Sequence, residues 1–256
     1  MLSKSLLLLA TAALALATPI RRGPGCSSGT TSPALPKTGG SNWLTQTPEE
    51  LPNPTNSSLK AIVLGFGIQN YTCSGAGAEA KASGALAMLY DVTDLYPGQS
   101  TDSLTLATFN ALTSVALWTH EVPLNLLEAK SVAQGADSSN PFPADASLKI
   151  GNRELPYAGH HFFNAGGAPQ FVVSTKKAAI NIVAAKLDDA PAPSYADKGP
   201  SGTGAVAWLY LGQSTSTKST GAKYVYRVNT AGGNPATCSG EGTESMSYTT
   251  QYWLYD

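Results

Sequence analysis

Charge is scarce in this chain. Only 13% of its 256 residues are Asp, Glu, Lys or Arg, and there are three histidines and three cysteines. Lys and Arg gather into no patch, so the electrostatic footprint that a phosphate backbone needs is missing and no nucleic-acid partner is expected. The same shortage removes attraction to an anionic membrane surface. The apolar run Leu6–Ala17 holds 12 residues, well short of the roughly 20 that cross a bilayer, and no later segment approaches that length. There is no G-x-S-x-G, the strained turn that presents a hydrolase serine. Three widely spaced cysteines without a histidine at ligand spacing give no zinc signature. No metal and no cofactor are expected.

What the sequence does hold points outward from the cell. Residues 1–17 read as a signal peptide: Lys4 is the positive end, Leu6–Ala17 the apolar middle, and Ala15-Leu16-Ala17 the small-x-small cleavage site. The pair Arg21-Arg22 is a candidate propeptide site. Cleavage there takes Lys4, Arg21 and Arg22 from the 16 basic residues against 17 acidic ones, leaving a net charge of −4. Sequons stand at Asn56 and Asn70, candidate glycosylation sites in a secreted chain. Asn56 lies in a Pro/Asn/Ser loop, whereas Asn70 lies in an aromatic run. In an oxidising compartment two of Cys26, Cys73 and Cys238 pair. Cys73–Cys238 is favoured because each ends a strand-like block, and it would close a loop of about 165 residues, for roughly 4–5 kcal/mol at most. Cys26–Cys73 is the rival arrangement.

Residues 18–58, rich in Gly, Ser, Thr, Pro and Asn, read as an arm with little regular structure, with a candidate propeptide up to residue 22. The remaining 59–256 suffice for one β domain. Strand-like segments fall at 59–73, 84–91, 159–164, 169–175, 178–187, 204–212, 222–230 and 247–255. Most alternate, carry aromatic or β-branched residues and end in Gly, Pro or Asn turns. That pattern predicts an all-β fold, an antiparallel sandwich or barrel. Residues 103–119 are the exception, with apolar residues at helical spacing. Aromatics on both faces of the last strands, among them Tyr226, Tyr252 and Trp253, predict strands covered on both sides.

The blocks LGFGIQNYTC (64–73), GALAMLYDVTDLY (84–96), GHHFF (159–163), APQF (168–171), VAWLYL (206–211) and YRVNTAGGNPATC with YTTQYWLY (226–255) resemble a fungal secreted family known as domain of unknown function 3455. Members are commonly labelled malate dehydrogenase. The resemblance implies a secreted β-rich fold and carries over no catalytic residue.

The dehydrogenase label has one candidate motif. Gly75-Ala-Gly77-Ala-Glu-Ala80 fits G-x-G-x-x-A after an apolar strand. A dinucleotide site also needs a helix opening on those glycines within a βαβ unit, which the pattern lacks. His160 and His161 are the candidate general base or metal ligand, with Asp91 as carboxylate partner. Adjacent strand residues face opposite ways, so only one of the two imidazoles can line a given pocket. Arg227 stands alone among aromatics and is a candidate for a substrate carboxylate or for a structural ion pair. Trp208 and Trp253, with Tyr210, Tyr252 and Tyr255, are candidates for a sugar-stacking platform. The leading expectation is a secreted, cell-wall-associated binding protein with a polysaccharide partner. The alternative is a secreted hydrolase or metal-dependent enzyme using a His/carboxylate site.

Overall fold

A computed structural model describes residues 32–39, 50–215 and 218–256. Cys26 and the Arg21-Arg22 pair, like the signal segment, lie outside the described residues. Among the described residues, twelve strands and one α-helix follow in chain order. Eight strands close into an antiparallel barrel: β1 (Leu59–Ser74), β2 (Lys81–Asp91), β7 (Tyr157–Phe163), β8 (Pro169–Ser174), β9 (Ala179–Ala190), β10 (Trp208–Gln213), β11 (Tyr224–Gly232) and β12 (Glu241–Tyr255). Their order around the barrel is β1-β12-β11-β10-β9-β8-β7-β2, with β2 pairing back onto β1. The choice between sandwich and barrel therefore falls on the barrel, and closure leaves no open edge on this sheet.

Residues 92–156 form an excursion between β2 and β7. It carries a 3-10 turn at Thr93–Leu95, helix α1 (Leu106–Thr119), and two small hairpins: β3 (Leu126–Glu128) with β4 (Ser131–Ala136), and β5 (Leu148–Ile150) with β6 (Arg153–Leu155). Thr105 caps the helix, its Oγ1 accepting from the Thr108 N–H at 3.2 Å. Phe109, Leu112, Thr113, Ala116 and Leu117 are its buried residues, a 3-4 spacing that lays one stripe on the sheet.

Two apolar clusters lie on opposite sides of the barrel wall. The inner one draws on all eight strands and is rich in small side chains: Ala61, Ala85, Ala87, Ala158 and Ala184 stand with Phe171, Val225, Tyr248 and Tyr252. The outer one packs Ile62, Phe66, Met88, Tyr226 and Trp253 beneath Phe109 and Leu112 of α1. This is why β1 reads as an almost unbroken apolar run: both of its faces are covered. Side-chain amides fasten the helix to the wall. Gln251 Nε2 donates to the Phe109 carbonyl at 3.1 Å, and Asn229 Nδ2 donates to Asn110 and to Gln251 at 3.1 and 3.0 Å.

The arm forms no helix or strand in its described residues, yet it belongs to the core. Leu35 and Leu51 are buried in the outer cluster, and the Glu50 carboxylate accepts from the Thr38 N–H and hydroxyl. Cys73 and Cys238 form a disulfide, which ties the end of β1 to the loop before β12. No helix among the described residues is long and apolar enough to cross a membrane.

Candidate functional site

The register of β7 separates the two histidines. His160 pairs with Met88, an outer residue, and His161 with Ala87, an inner one. His160 sits outside the barrel under Phe142, ring on ring at 3.9 Å. Its Nε2 lies 3.2 Å from the Tyr157 hydroxyl and 4.0 Å from Asp145 Oδ1. Burial lowers its pKa, and Asp145 opposes that. The phenol of Tyr157 is pushed up, first by burial and then by its hydrogen bond to Asp145. The carboxylate nearest His160 is thus Asp145. Asp91 is engaged elsewhere: its Oδ1 accepts from the Thr93 N–H at 2.9 Å and from the Thr93 hydroxyl at 2.6 Å, holding the turn that follows β2.

His161 is buried inside the barrel. Its ring stacks on Phe171 at 4.1 Å and meets the edge of Tyr252 at 5.4 Å. Nδ1 lies 2.9 Å from the Gln170 carbonyl. A carbonyl only accepts, so Nδ1 carries the proton and the lone pair of the neutral ring is on Nε2. Burial drives the pKa down to about 4, with the charge of Arg227 adding to it. The third histidine, His120, is half-buried at the C-terminal end of α1, with Nε2 2.7 Å from the Lys149 carbonyl.

Arg227 is the one charged residue of β11. It faces the interior with Val225, opposite Tyr252 in the register. Nε and Nη2 both donate to the Ala207 carbonyl, at 3.0 and 2.8 Å, and Nη1 donates to Gln69 Oε1 at 3.3 Å. Gln69 is itself aimed by donating to the Gly84 carbonyl at 2.9 Å. Three of the five guanidinium N–H groups are thereby used and two are left. No ion pair links Arg227 to an acid among the described residues. Its field reaches Tyr71, Tyr248 and Tyr252, opposing the burial that raises their pKa values, that of Tyr71 to about 12.

These groups lie toward one end of the barrel. Tyr71 donates to the Gly233 carbonyl at 2.7 Å, Tyr248 and Tyr252 share a hydrogen bond at 2.9 Å, and Phe163 is partly exposed beside Gly84. Gln69 links the half-buried guanidinium to the stretch of β2 at Gly84, beside which Phe163 lies, and His161 and the two tyrosines are buried within reach of its field. Gly65 makes room for Tyr252: a Cβ there would come within 2.5 Å of its ring.

Trp208 and Trp253 are 2% and 0% exposed. Both belong to the outer cluster, as does Tyr255, whereas Tyr252 is buried in the inner one, and none of the four offers a ring face to a ligand. The bulk of the outer rings is what fills the gap between wall and helix. The exposed aromatics are others, Trp118 and Tyr195. Helical spacing placed Trp118 beside Leu117, but only the packing shows which of the two points away. Asn70 Oδ1 accepts from Ser245 at 2.7 Å between β1 and β12, whereas Asn56 is exposed with φ of 51°. The glycines of 75–80 form a turn from β1 into the antiparallel β2, with the Ala78 N–H donating to Gly75. No helix opens on them.

Two surface grooves add little chemistry. One of about 260 Å³ is lined by Asp91, Asp94, Asp102, Glu154, Tyr157 and Lys176, among others. One of about 380 Å³ lies between β4 and the start of β12. Among the described residues no three His, Cys, Asp or Glu side chains converge as a metal would need.

No curated protein and no solved structure matches the chain. A family profile described as "Protein of unknown function (DUF3455)" matches residues 54–256, and the chain belongs to that family.

Proposed function

We propose that this protein is exported and works by binding, taking the carboxylate of an acidic sugar at the barrel mouth. The observation that carries the reading is Arg227: a half-buried cation with two N–H donors left and no acidic side chain paired to it. Guanidinium is the side chain best shaped for a carboxylate, and a desolvated mouth strengthens the pair. Barrel mouths are also a recurrent place for small ligands. Phe163, exposed at the end of β7 beside Gly84, supplies an apolar wall for the sugar ring. The signal segment, the disulfide and the exposed sequon at Asn56 support an extracellular setting in which wall polysaccharide is the partner.

Binding is preferred to catalysis because neither histidine is placed as a free base. His161 is sealed against Phe171, and His160 is stacked under Phe142 with Asp145 at 4.0 Å.

Titration calorimetry with galacturonate oligomers tests the proposal. Wild-type protein should bind them, and Arg227→Met should weaken binding by about 10–100-fold, the loss of one charge-assisted contact. Arg227→Lys should fall between, keeping charge without the fork. Near-UV circular dichroism checks that the variants fold. If no acidic oligomer binds, or if the Met variant binds like wild type, the proposal fails.

A further inference from the structure

We infer that Trp118 and Asp197 form a second binding site, a surface shelf for a neutral polysaccharide chain. Trp118 lies in the last turn of α1 and is 59% exposed. It falls just off the buried stripe of the helix, so an indole there gains little from packing, where a charged residue would serve solubility better. Its Nε1–H donates to Asp197 Oδ2 at 2.8 Å. That bond fixes the ring plane and leaves a face open.

The partner is itself held firmly. Asp197 Oδ1 accepts from the Gly199 N–H at 2.9 Å, and the Asp197 carbonyl accepts from Gly232 at 2.9 Å. The loop presses so closely on the end of β11 that a Cβ on Gly199 would lie 2.7 Å from the Gly232 Cα, with Leu117 of the helix against both. Both glycines have positive φ, 72° and 64°. Helix end, loop and strand end are one rigid piece, and the Trp118 ring is preorganised on it. Tyr195, 77% exposed, stands two residues before Asp197.

The chemistry of the shelf selects its occupant. A flat apolar ring edged by a carboxylate suits a pyranose, whose C–H face lies on the indole while its hydroxyls donate to the acceptor sites Asp197 has left. The negative charge of Asp197 disfavours uronates. The shelf therefore discriminates in the opposite sense to the mouth at Arg227, and the two sites are independent.

Co-sedimentation of the full secreted chain with insoluble β-1,3-glucan, chitin and mannan tests this. Wild type should be retained on at least one of them, and in a Trp43→Phe background bound protein should become harder to quench with acrylamide, because Trp208 and Trp253 are already shielded. Trp118→Ala should reduce retention by about tenfold, the loss of one stacked aromatic contact, while Trp118→Phe keeps part of it. Arg227→Met should be retained like wild type. Thermal unfolding of Trp118→Ala confirms that the fold survives. Retention on none of the three polymers overturns the inference. So does equal retention of wild type and Trp118→Ala, or a loss of retention in Arg227→Met.

Discussion

The inner and outer faces of the wall formed by β1, β12 and β11 come from the same residues in alternation, yet they are built differently. Outside, large aromatics and Ile, Leu and Met side chains meet a helix, and the amides of Asn229 and Gln251 are hydrogen-bonded to Asn110 and the Phe109 carbonyl. Inside, glycines and alanines leave space that Tyr248, Tyr252, His161 and Arg227 occupy. The polar atoms that the outer face leaves without a partner, Trp208 Nε1 and the Tyr255 hydroxyl among them, are neutral. The inner face holds a cation, Arg227, that forms no ion pair among the described residues. A ligand of opposite charge is therefore to be sought within the barrel, not among the rings buried in its outer wall.

Three perturbations separate the faces. The largest effect is expected outside. Trp253→Ala should cost about 3–5 kcal/mol, measured by denaturant unfolding, because a fully buried indole leaves a cavity under a helix too tightly fastened to collapse. A cost below about 1 kcal/mol would mean that the outer layer is not the main source of stability.

The next belongs to the interior and to pH. The imidazole of His161 takes up a proton at about 4 when folded and near 6.5 when unfolded. Between these values the unfolded chain binds more protons, so stability falls as pH drops through that window, by about 3 kcal/mol in all. His161→Phe keeps a ring on Phe171 and removes this contribution. The difference between the two unfolding curves should therefore shrink from pH 7 to pH 4. A constant difference would place the imidazole in contact with water.

The smallest is steric. Gly65→Ala should cost about 1–3 kcal/mol through the clash with Tyr252, and near-UV circular dichroism should change as that ring moves. If the variant is as stable as wild type with an unchanged spectrum, the interior has slack and the contrast between the faces weakens.

Much of this architecture was legible in the sequence. The eight strand-like segments correspond one to one with the eight barrel strands, and 103–119 contains the helix Leu106–Thr119, because alternation and 3-4 spacing are local signals. The short hairpins of 92–156 were missed, being too brief to show a period. The start of β12 was missed because Glu241-Gly-Thr-Glu-Ser is polar and pairs at the exposed end of the barrel. The arm was read as loose from its composition, which conceals two leucines that pack far from their sequence neighbours. The site was less legible. Alternation separates His160 from His161 but cannot say which of them is inside. Nor can it say that Arg227 ends beside Ala207 and Gln69, 20 and 158 positions away, with no acid. Aromatic content marked Trp208 and Trp253, but ring exposure is decided by what covers the strand.

The pairing of β1 with β12 runs from Leu59–Tyr255 to Ser74–Glu241, joining the first strand of the domain to the last. A chain translated from its N-terminus presents β1 long before its partner β12 exists. β2 can occupy one side of it at once, while the other side stays an open, apolar edge of the kind that pairs with foreign strands. The barrel is drawn shut like a purse by the fifteen residues of β12. Loss of that strand would leave the wall unclosed, and folding would register the defect before any surface chemistry did.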